Sequence, residues 1–287
     1  MTTVGLLGGD KREELLISFL KERGYKLKVL DSPPYKKENV LCYPDIKNVI
    51  KNCDVVVAPM SSTDEDGYLK KSFISKRIKL DSKFVKLLDN DTQFFIGIAR
   101  PILKKPLEER GISYVEMARL SDVAILNAIP TAEGAIKKAI EETDHTLFNS
   151  KVLISGLGNV GLTLAWRLKA LGAITYSVTR DRGATARGRD LVFNMITYYN
   201  MNSYLSEIAI ILNTVPAMIF NKKYLSSLKK NTIIIDLASA PGGTDFEAAK
   251  KLGIKAFLYL GIPGEVAPRT SAEIMAEAII KRINSLK

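Results

Sequence analysis

Residues 151–172 read KVLISGLGNVGLTLAWRLKALG, and this stretch decides the fold. Its first five residues predict an apolar strand, and residues 156–171 predict a helix. The turn between them carries three glycines spaced G-x-G-x-x-G, which are Gly156, Gly158 and Gly161. A strand, such a turn and a helix in this order are typical of the first βα unit of a dinucleotide-binding domain.

Each glycine of this turn has a separate physical role. The first permits the tight bend, the second lets the backbone approach a pyrophosphate, and the third lets helix and strand pack closely. The helix N-terminus adds free N–H groups that favour an anion. We therefore predict cofactor binding by the whole turn, namely Gly156, Leu157, Gly158, Asn159, Val160 and Gly161. The alternative is a tight strand–helix turn without a ligand.

The end of the next strand bears on the identity of the cofactor. The strand predicted at 173–178 is followed by Thr179, Arg180 and Asp181. NAD-binding chains usually carry an acid here, roughly 20 residues after the glycines, to hold the ribose 2′-hydroxyl. A hydroxyl and a guanidinium favour a 2′-phosphate, because arginine binds oxyanions bidentately. Thr179 and Arg180 therefore predict NADP, and Asp181 keeps NAD open.

A rigid turn after the strand predicted at 208–213 is expected to lie over the ribose and nicotinamide of such a cofactor. It consists of Thr214, Val215 and Pro216. The expectation follows from the position, since ligands bind at the carboxyl ends of parallel strands. An ordinary strand–helix loop is the alternative.

The stretch 236–246, DLASAPGGTDF, ends the strand predicted at 232–237 and then bends through a Pro-Gly-Gly sequence. We expect this bend to lie beside the nicotinamide, with Ala238 at the cofactor and Ser239 and Asp245 near a cleft. Replacing Gly242 with valine is then expected to weaken cofactor binding or turnover more than fold stability.

Strands and helices alternate along the rest of the chain. Further strands are predicted at 4–7, 26–30, 55–59, 93–98, 113–116 and 255–260. The alternation predicts the class α/β with two doubly wound parallel-sheet domains, the second a Rossmann domain. We place an N-terminal substrate or partner domain at 1–128 and the Rossmann domain at 129–270. A helix at 131–143 would connect them, and a C-terminal helix at 271–287 would return onto the first domain.

Composition excludes several classes of protein. The chain has 287 residues, 25% of them charged, and a formal net charge of +11. Acids are interleaved with the bases, and no basic stripe carries stacking aromatics, so we expect a solvated surface and no nucleic-acid partner. No apolar run approaches the ~20 residues of a membrane span, and the start, MTTVGLLGGDKREE, lacks a secretory signal. These features predict a cytoplasmic protein without a membrane anchor.

Neither a metal site nor a disulfide is expected. Cys42 and Cys53 lack metal-ligand spacing, and His145 is the only histidine. His145 follows a predicted helix end and is interpreted as a capping or surface residue. Its position argues against the His–carboxylate pair of a 2-hydroxyacid dehydrogenase.

Four collinear motifs resemble the family of the dipicolinate synthase A subunit, and the similarity runs along the whole chain. The motifs are IPTAEGAI (129–136), GLGNVG (156–161), DLASAPGGTDF (236–246) and GIPGEVAPRTSAEI (261–274). The resemblance implies an enzyme of bacterial spore formation on a branch of lysine biosynthesis. It would form pyridine-2,6-dicarboxylate from dihydrodipicolinate, or its hydroxytetrahydro precursor, with a nicotinamide cofactor. It also implies a partner, a flavoprotein-like B subunit, and a homodimer is compatible with it.

A dicarboxylate substrate needs hydrogen-bond donors, and predicted helix starts supply candidates. The candidates are Ser61, Ser62 and Thr63 after an N-terminal strand, Thr131 and Glu133 on the connecting helix, and Arg269 at the last helix. We expect the three helix starts to converge on one cleft, although serine and threonine are also common N-caps. Arg269 is predicted to clamp a carboxylate because it has no obvious salt-bridge partner. Glu133 is the candidate base, provided that it faces the cleft.

Two other functions stay open at this point. The NTVP and TRDR segments are also compatible with a shikimate-type or hydroxyacid-type dehydrogenase. A non-catalytic dinucleotide-binding protein that regulates or scaffolds its partner is the second alternative. A substrate profile distinguishes the first alternative from dipicolinate synthesis. Cofactor binding without reduction is the signature of the second.

Overall fold

The structure is a computed structural model that describes residues 1–30 and 40–285. The chain forms two compact units. Unit 1 contains Met1–Asn127 and the described residues from Ala267 onward, and unit 2 contains Ala128–Val266. The domain boundaries expected from the sequence, at 128/129 and 270/271, stay predictions. The last two residues of the C-terminal helix expected at 271–287 lie outside the described residues.

Unit 1 is built on a six-stranded parallel sheet in the order β3-β2-β1-β4-β5-β6. Its strands are β1 (Thr3–Leu6), β2 (Lys26–Leu30), β3 (Val40–Tyr43), β4 (Val55–Val57), β5 (Gln93–Ile96) and β6 (Tyr114–Glu116). The sheet is buried on both faces, because Val56 packs into one apolar cluster and its neighbours Val55 and Val57 into another. Alternate burial of successive β-branched residues is what a strand covered on both sides requires.

Helices cover both faces of this sheet. They are α1 (Lys11–Glu22), α2 (Ile46–Ile50), α3 (Ser82–Val85), α4 (Pro101–Glu109) and α12 (Pro268–Ser285). A single 3₁₀ turn follows β6 at Met117–Arg119. The last helix, α12, packs on α1, and its Met275 and Ile279 join Leu16 and Leu20 in one apolar cluster.

Unit 2 repeats the architecture in the order β12-β11-β10-β7-β8-β9. Its strands are β7 (Lys151–Ser155), β8 (Ile174–Val178), β9 (Asn194–Ile196), β10 (Ile210–Asn213), β11 (Ile233–Asp236) and β12 (Lys255–Leu258). Its helices are α6 (Asn159–Ala170), α7 (Arg182–Asp190), α8 (Asn202–Leu205), α9 (Lys222–Leu225), α10 (Phe246–Leu252) and α11 (Ile262–Val266). Leu153 of β7 packs on one face of the sheet, and Val152 and Ile154 pack on the other.

Both sheets reverse their strand order at the same point. The chain places its second and third strands on one side of the first strand, then crosses to the other side for the remaining three. The switch points lie between β1 and β4 in unit 1 and between β7 and β10 in unit 2. The predicted α/β class, with two doubly wound parallel sheets, is therefore confirmed. The strands β3 and β9 were not predicted, because they are short, partly exposed edge strands without a long apolar run.

The connecting helix differs from its prediction. It is α5, it spans Ser121–Glu142, and it contains Pro130 in its interior. The prediction that the connecting helix starts at Thr131 is therefore wrong. The helix continues through Pro130 because apolar residues on both sides of it, among them Val123, Ala132 and Ala135, are buried.

Two features bear on membranes and metals. None of the helices in residues 1–30 and 40–285 is long and apolar enough to cross a membrane. In the same described ranges, no group of three or more His, Cys, Asp or Glu side chains could hold a metal ion. Cys42 and Cys53 are not joined by a disulfide.

Cys53 is expected to resist alkylation in the folded protein. Its side chain is 3% exposed, its thiol donates to the carbonyl oxygen of Val49 at 3.1 Å, and burial raises its pKa to about 11. Because the thiolate is the nucleophile, we expect iodoacetamide at pH 8 to modify it about a hundredfold more slowly than in urea-unfolded chain. The raised pKa also means that stability is lost as pH rises toward 11. Mass spectrometry of the Cys53 peptide measures the rates, and equal rates in folded and unfolded chain would contradict this expectation.

Candidate functional site

The glycine-rich turn lies between β7 and α6, at the switch point of unit 2. Gly156 has a φ of +90°, a conformation that L-residues rarely adopt. A side chain at Gly161 would collide with the carbonyl oxygen of Gly156, so the third glycine allows α6 to pack tightly on the turn. At Gly158, by contrast, no atom of the described residues lies within 4 Å of the place that a Cβ would occupy.

The N-terminus of α6 is free of any side-chain cap. Gly158 is its N-cap residue and makes no side-chain hydrogen bond. The first turn of α1 in unit 1 is different, because the Asp10 carboxylate accepts from the Arg12 N–H at 3.1 Å and Glu13 accepts from the Asp10 N–H at 2.8 Å. An incoming anion therefore finds free donors at α6, whereas the chain's own carboxylates fill the start of α1. The residues of unit 2 fit a dinucleotide pyrophosphate.

The turn after β10 packs directly on the glycine turn. The backbone N–H and the hydroxyl of Thr214 both donate to the carbonyl oxygen of Ser155, at 2.8 and 2.9 Å. A Cβ on Gly156 would collide with the Thr214 hydroxyl and would lie 2.9 Å from the Val215 side chain. Pro216 follows as an exposed residue. Two segments that the sequence associates with the cofactor, 156–161 and 214–216, are thus in contact.

Asp236 holds the Pro-Gly-Gly bend in place. It is 0% exposed and lies at the end of β11. Its Oδ1 accepts from the Asn213 side chain at 3.0 Å and from the Ala238 N–H at 3.1 Å. Its Oδ2 accepts from the Gly243 N–H at 2.8 Å and from the Thr244 hydroxyl at 2.7 Å. Both carboxylate oxygens are therefore fully used inside the protein, and Asp236 is a structural residue rather than a ligand.

This network changes the expectation for the bend itself. Gly242 has a φ of +87°, and a Cβ on it would lie 3.0 Å from Asp236 Oδ2. A valine there would strain the backbone and press on the buried carboxylate, so the expected selective effect on the cofactor is not supported. Asp245 caps α10 by accepting from the Ala248 N–H at 2.9 Å. Ser239 is exposed at the tip of the bend.

The corner after β8 carries the candidate 2′-phosphate residues. Asp181 is committed to its own helix, since its carboxylate accepts from the Ala184 N–H at 2.5 Å and caps α7. The Thr179 hydroxyl accepts from the Asp181 N–H at 3.2 Å. Arg180 is exposed and lies over the Tyr198 ring at 5.6 Å, and no carboxylate in the described part of the chain pairs with it. Tyr198 was not predicted, because it comes from a separate segment.

The loop after β4 in unit 1 corrects a further prediction. Residues 60–63 form a turn and an isolated bridge instead of a helix start. Ser62 has a φ of +64°, and its hydroxyl accepts from the Ile98 N–H at 2.7 Å. The expectation that Ser61, Ser62 and Thr63 open a helix is therefore wrong. The loop is instead joined to the loop that follows β5.

Glu13 fixes the other end of this loop. Its carboxylate is 1% exposed and accepts from the Met60 N–H at 2.8 Å. Burial raises the pKa of Glu13, and the adjacent Arg12 guanidinium opposes that shift. A side chain at Gly9 would collide with the Glu13 carboxylate, which explains the glycine immediately before Asp10.

Arg269 does not have the free guanidinium that was expected. It lies in the first turn of α12, where its Nε is 3.2 Å from Glu273 Oε1, and its guanidinium lies 5.5 Å from the centre of the Phe19 ring. The prediction that Arg269 lacks a salt-bridge partner is wrong, because Glu273 is four residues further along the same helix.

Glu133 and His145 are both exposed residues of unit 2. Glu133 lies on α5 with its carboxylate 3.8 Å from Arg167 Nε. His145 lies beyond the end of α5, 3.2 Å from Asp144, in agreement with a surface role. Thr131 is half-buried inside α5. The expected convergence of the three candidate groups on one cleft stays a prediction.

Two family models match the chain. The model for the N-terminal domain of the dipicolinate synthase A subunit matches residues 3–118. The model described as "D-isomer specific 2-hydroxyacid dehydrogenase, NAD binding domain" matches residues 114–242, which include the glycine-rich turn. The second match supports a nicotinamide dinucleotide as cofactor and an oxidoreductase as the kind of enzyme.

Similar proteins cover almost the whole chain. The dipicolinate synthase A subunit of Bacillus subtilis (strain 168) is 32% identical over 99% of this chain and 96% of its own length. The crystal structure of the corresponding protein from Bacillus halodurans is 32% identical with a TM-score of 0.90, covering 98% of this chain and 97% of that one. The crystal structure of the Bacillus subtilis protein has a TM-score of 0.89 at 32% identity, covering 99% and 96%. On this likeness in sequence and fold, the chain belongs to the family of the dipicolinate synthase A subunit.

Proposed function

We propose that the chain is the nicotinamide-dependent component of a dipicolinate synthase. It would oxidise dihydrodipicolinate, or the hydroxytetrahydro precursor after loss of water, to pyridine-2,6-dicarboxylate. The observation that carries the proposal is the uncapped N-terminus of α6 at the switch point of unit 2, in a chain of this family. A helix start without its own cap, after a glycine turn, is suited to a pyrophosphate.

The cofactor in this proposal is NADP. The turn at 156–161 would hold the pyrophosphate, Thr179 and Arg180 the 2′-phosphate, and the segments at 214–216 and Ala238 the ribose and nicotinamide. Two observations support NADP over NAD. Asp181 already caps α7 through its Oδ1, which ties its side chain to that helix, and Arg180 has no carboxylate partner in the described ranges. Arginine binds a phosphate with two parallel hydrogen bonds.

The oxidation of dihydrodipicolinate needs no strong base. A bound oxidised nicotinamide would supply a hydride acceptor, so that dihydrodipicolinate loses one hydride and one proton and the products are the aromatic dicarboxylate, the reduced cofactor and H⁺. Aromatisation supplies driving force, so the protein's task is to bind the substrate and orient it. The proton passes to solvent or to Glu133, which is exposed.

Each unit by itself contains candidate residues for the substrate carboxylates. The loop with Ser61, Ser62 and Thr63 supplies hydroxyls, and Thr131 and Ser239 are further candidates from unit 2. Arg269 is a weaker candidate for a carboxylate than its sequence position suggested, because its Nε already pairs with Glu273 at 3.2 Å. The names of the Bacillus relatives, each given to one of several subunits, support a second subunit in the enzyme. We propose a flavoprotein-like B subunit for this role, in an assembly of the cytoplasm during spore formation.

The test is a reduction assay with the complete chain. Purified protein is given NADP or NAD and freshly made dihydrodipicolinate, with and without the B subunit, and the absorbance band of the reduced nicotinamide is followed. The proposal expects reduction that depends on dihydrodipicolinate and is faster with NADP. Reduction with shikimate or a 2-hydroxyacid instead would replace it with the corresponding dehydrogenase. Cofactor binding without reduction in any combination would favour a regulatory protein.

A further inference from the structure

Among the described residues, none pairs with the terminal nitrogens of the Arg100 guanidinium. Arg100 is half-buried after β5, and its Nε donates to the carbonyl oxygen of Thr63 at 3.2 Å. Within residues 1–30 and 40–285, no acceptor binds its Nη1 or Nη2. The single contact at Nε fixes the side chain beside the loop that follows β4, and the remaining N–H donors stay available to a ligand.

Other arginines at the carboxyl edge of this sheet are already paired with carboxylates. Arg12 binds Asp10 through two hydrogen bonds, at 2.9 and 2.8 Å, and Arg119 lies 3.1 Å from Glu116. Glu116 also accepts from the Ala99 N–H at 3.0 Å, so this carboxylate is satisfied without Arg100. A carboxylate brought to Arg100 would therefore meet an uncompensated positive charge.

Two buried hydroxyls lie in the same loop without partners. In the described part of the chain, the hydroxyls of Ser61 and Thr63 are inaccessible to solvent and make no hydrogen bond, and Thr63 is 0% exposed. Leaving a buried hydroxyl without a hydrogen bond costs stability, so such groups in a folded protein call for an explanation. Hydroxyls kept for a ligand beside a free guanidinium provide one.

An apolar side chain completes the arrangement. Ile98 is 42% exposed, and its N–H donates to Ser62, so it belongs to the same pair of loops. A Cβ at Gly97 would collide with the Met60 carbonyl oxygen and lie 2.6 Å from the Ser62 hydroxyl, which shows how closely the loops approach. An exposed apolar surface beside a guanidinium and hydroxyls suits a flat ring that carries a carboxylate.

We propose that Arg100 binds a ring-borne carboxylate of the substrate in unit 1, beside Ile98, and that the loop after β4 opens on binding so that the buried hydroxyls of Ser61 and Thr63 reach the ligand. This inference rests on the proposed function for the identity of the substrate. It also assigns to Arg100 the role that the sequence suggested for Arg269. Arginine suits it because its planar fork matches a carboxylate bidentately.

Arg100→Gln tests the charge, and Arg77→Gln is its matched control, since Arg77 is an exposed arginine of the same unit paired with Asp64. The measurement is the dissociation constant of pyridine-2,6-dicarboxylate by isothermal titration calorimetry. We expect roughly 10- to 100-fold weaker binding in Arg100→Gln, because a hydrogen bond to a charged group is lost. The affinity of Arg100→Lys for pyridine-2,6-dicarboxylate should lie between those of Arg100→Gln and wild type. Arg77→Gln should bind it as tightly as wild type does.

Thr63→Val tests the hydroxyl with a readout that a merely structural residue would not give. Valine removes an unsatisfied buried hydroxyl at nearly constant volume, so the free protein should unfold at the same or a higher temperature. If the hydroxyl meets the ligand, pyridine-2,6-dicarboxylate should nevertheless bind several-fold more weakly. Lower affinity together with unchanged or raised stability supports the subsite. Unchanged affinity would show that the Thr63 hydroxyl does not bind the ligand.

Two results would overturn the assignment of Arg100. One is equal affinity of Arg100→Gln and wild type, and the other is no binding of pyridine-2,6-dicarboxylate to wild type at millimolar concentration. The reduction assay on the same preparations separates these failures from failure of the proposed function. If wild type still reduces NAD(P) with dihydrodipicolinate and Arg100→Gln has the same KM, the function stands and the subsite lies elsewhere.

Discussion

Gly158→Ser is expected to abolish tight dinucleotide binding while leaving the free protein as stable as wild type or slightly more stable. Serine is a better N-cap than glycine by a few tenths of a kcal/mol, and no atom lies within 4 Å of its Cβ position. Its hydroxyl would accept from the first turn of α6 and occupy the place proposed for the pyrophosphate. Loss of charge-assisted hydrogen bonds then weakens NADP binding roughly 100-fold.

Thermal unfolding and titration of NADP measure the two effects separately. Asp245→Ser is the matched control, because it also changes an N-cap residue in unit 2, at α10, and keeps a good capping residue. It should leave the affinity for NADP unchanged. Wild-type affinity in Gly158→Ser would show that the cofactor does not use this helix start.

Asp236→Asn is expected to lower the free energy of unfolding by about 3 kcal/mol. Each carboxylate oxygen of Asp236 accepts from two donors. In either orientation of an asparagine side chain, its NH₂ group would therefore face two donors and bind neither. Burial prevents water from replacing the lost bonds, since Asp236 is 0% exposed. The bend from Ala238 to Gly243 should loosen as a result.

Urea unfolding followed by circular dichroism measures this loss. Asp245→Asn makes the same chemical change nine residues later, at a half-buried N-cap where asparagine is equally good, and it should cost less than about 0.5 kcal/mol. If Asp236→Asn were no more destabilising than Asp245→Asn, the buried carboxylate would not hold the bend.

Features that depend on the local backbone were predictable from the sequence. The strand–turn–helix at 151–171 follows from an apolar run and three glycines. Glycine suits the φ of +90° at residue 156, and a Cβ at Gly161 would collide with the carbonyl oxygen of Gly156. The alternation of strands and helices likewise predicts both parallel sheets.

Features that depend on distant partners were not predictable from the sequence. The role of Asp236 rests on donors 23 residues before it and up to 8 residues after it, so local sequence presented it only as the end of a strand. Arg100 carries no local signal either, because its meaning comes from Thr63, 37 residues earlier.

Besides the helix start expected at residues 61–63, two wrong predictions concern residues that do lie on helices. Glu273 lies four residues after Arg269, so their ion pair was within reach of the sequence once both residues are placed on one helix. Thr131 after Pro130 suggested a helix start, although burial carries α5 through the proline. The first could have been avoided from spacing alone, whereas the second depends on tertiary packing.

Nicotinamide-dependent formation of pyridine-2,6-dicarboxylate predicts a fixed ratio of products. The chain, with its B subunit, is mixed anaerobically with NADP and dihydrodipicolinate, and the reduced cofactor and pyridine-2,6-dicarboxylate are both quantified. Absorbance gives the first amount and chromatography the second. We predict equal amounts that rise together and that fall together in Gly158→Ser. Pyridine-2,6-dicarboxylate formed without reduced cofactor, or reduced cofactor without pyridine-2,6-dicarboxylate, would contradict a nicotinamide-dependent dipicolinate synthase.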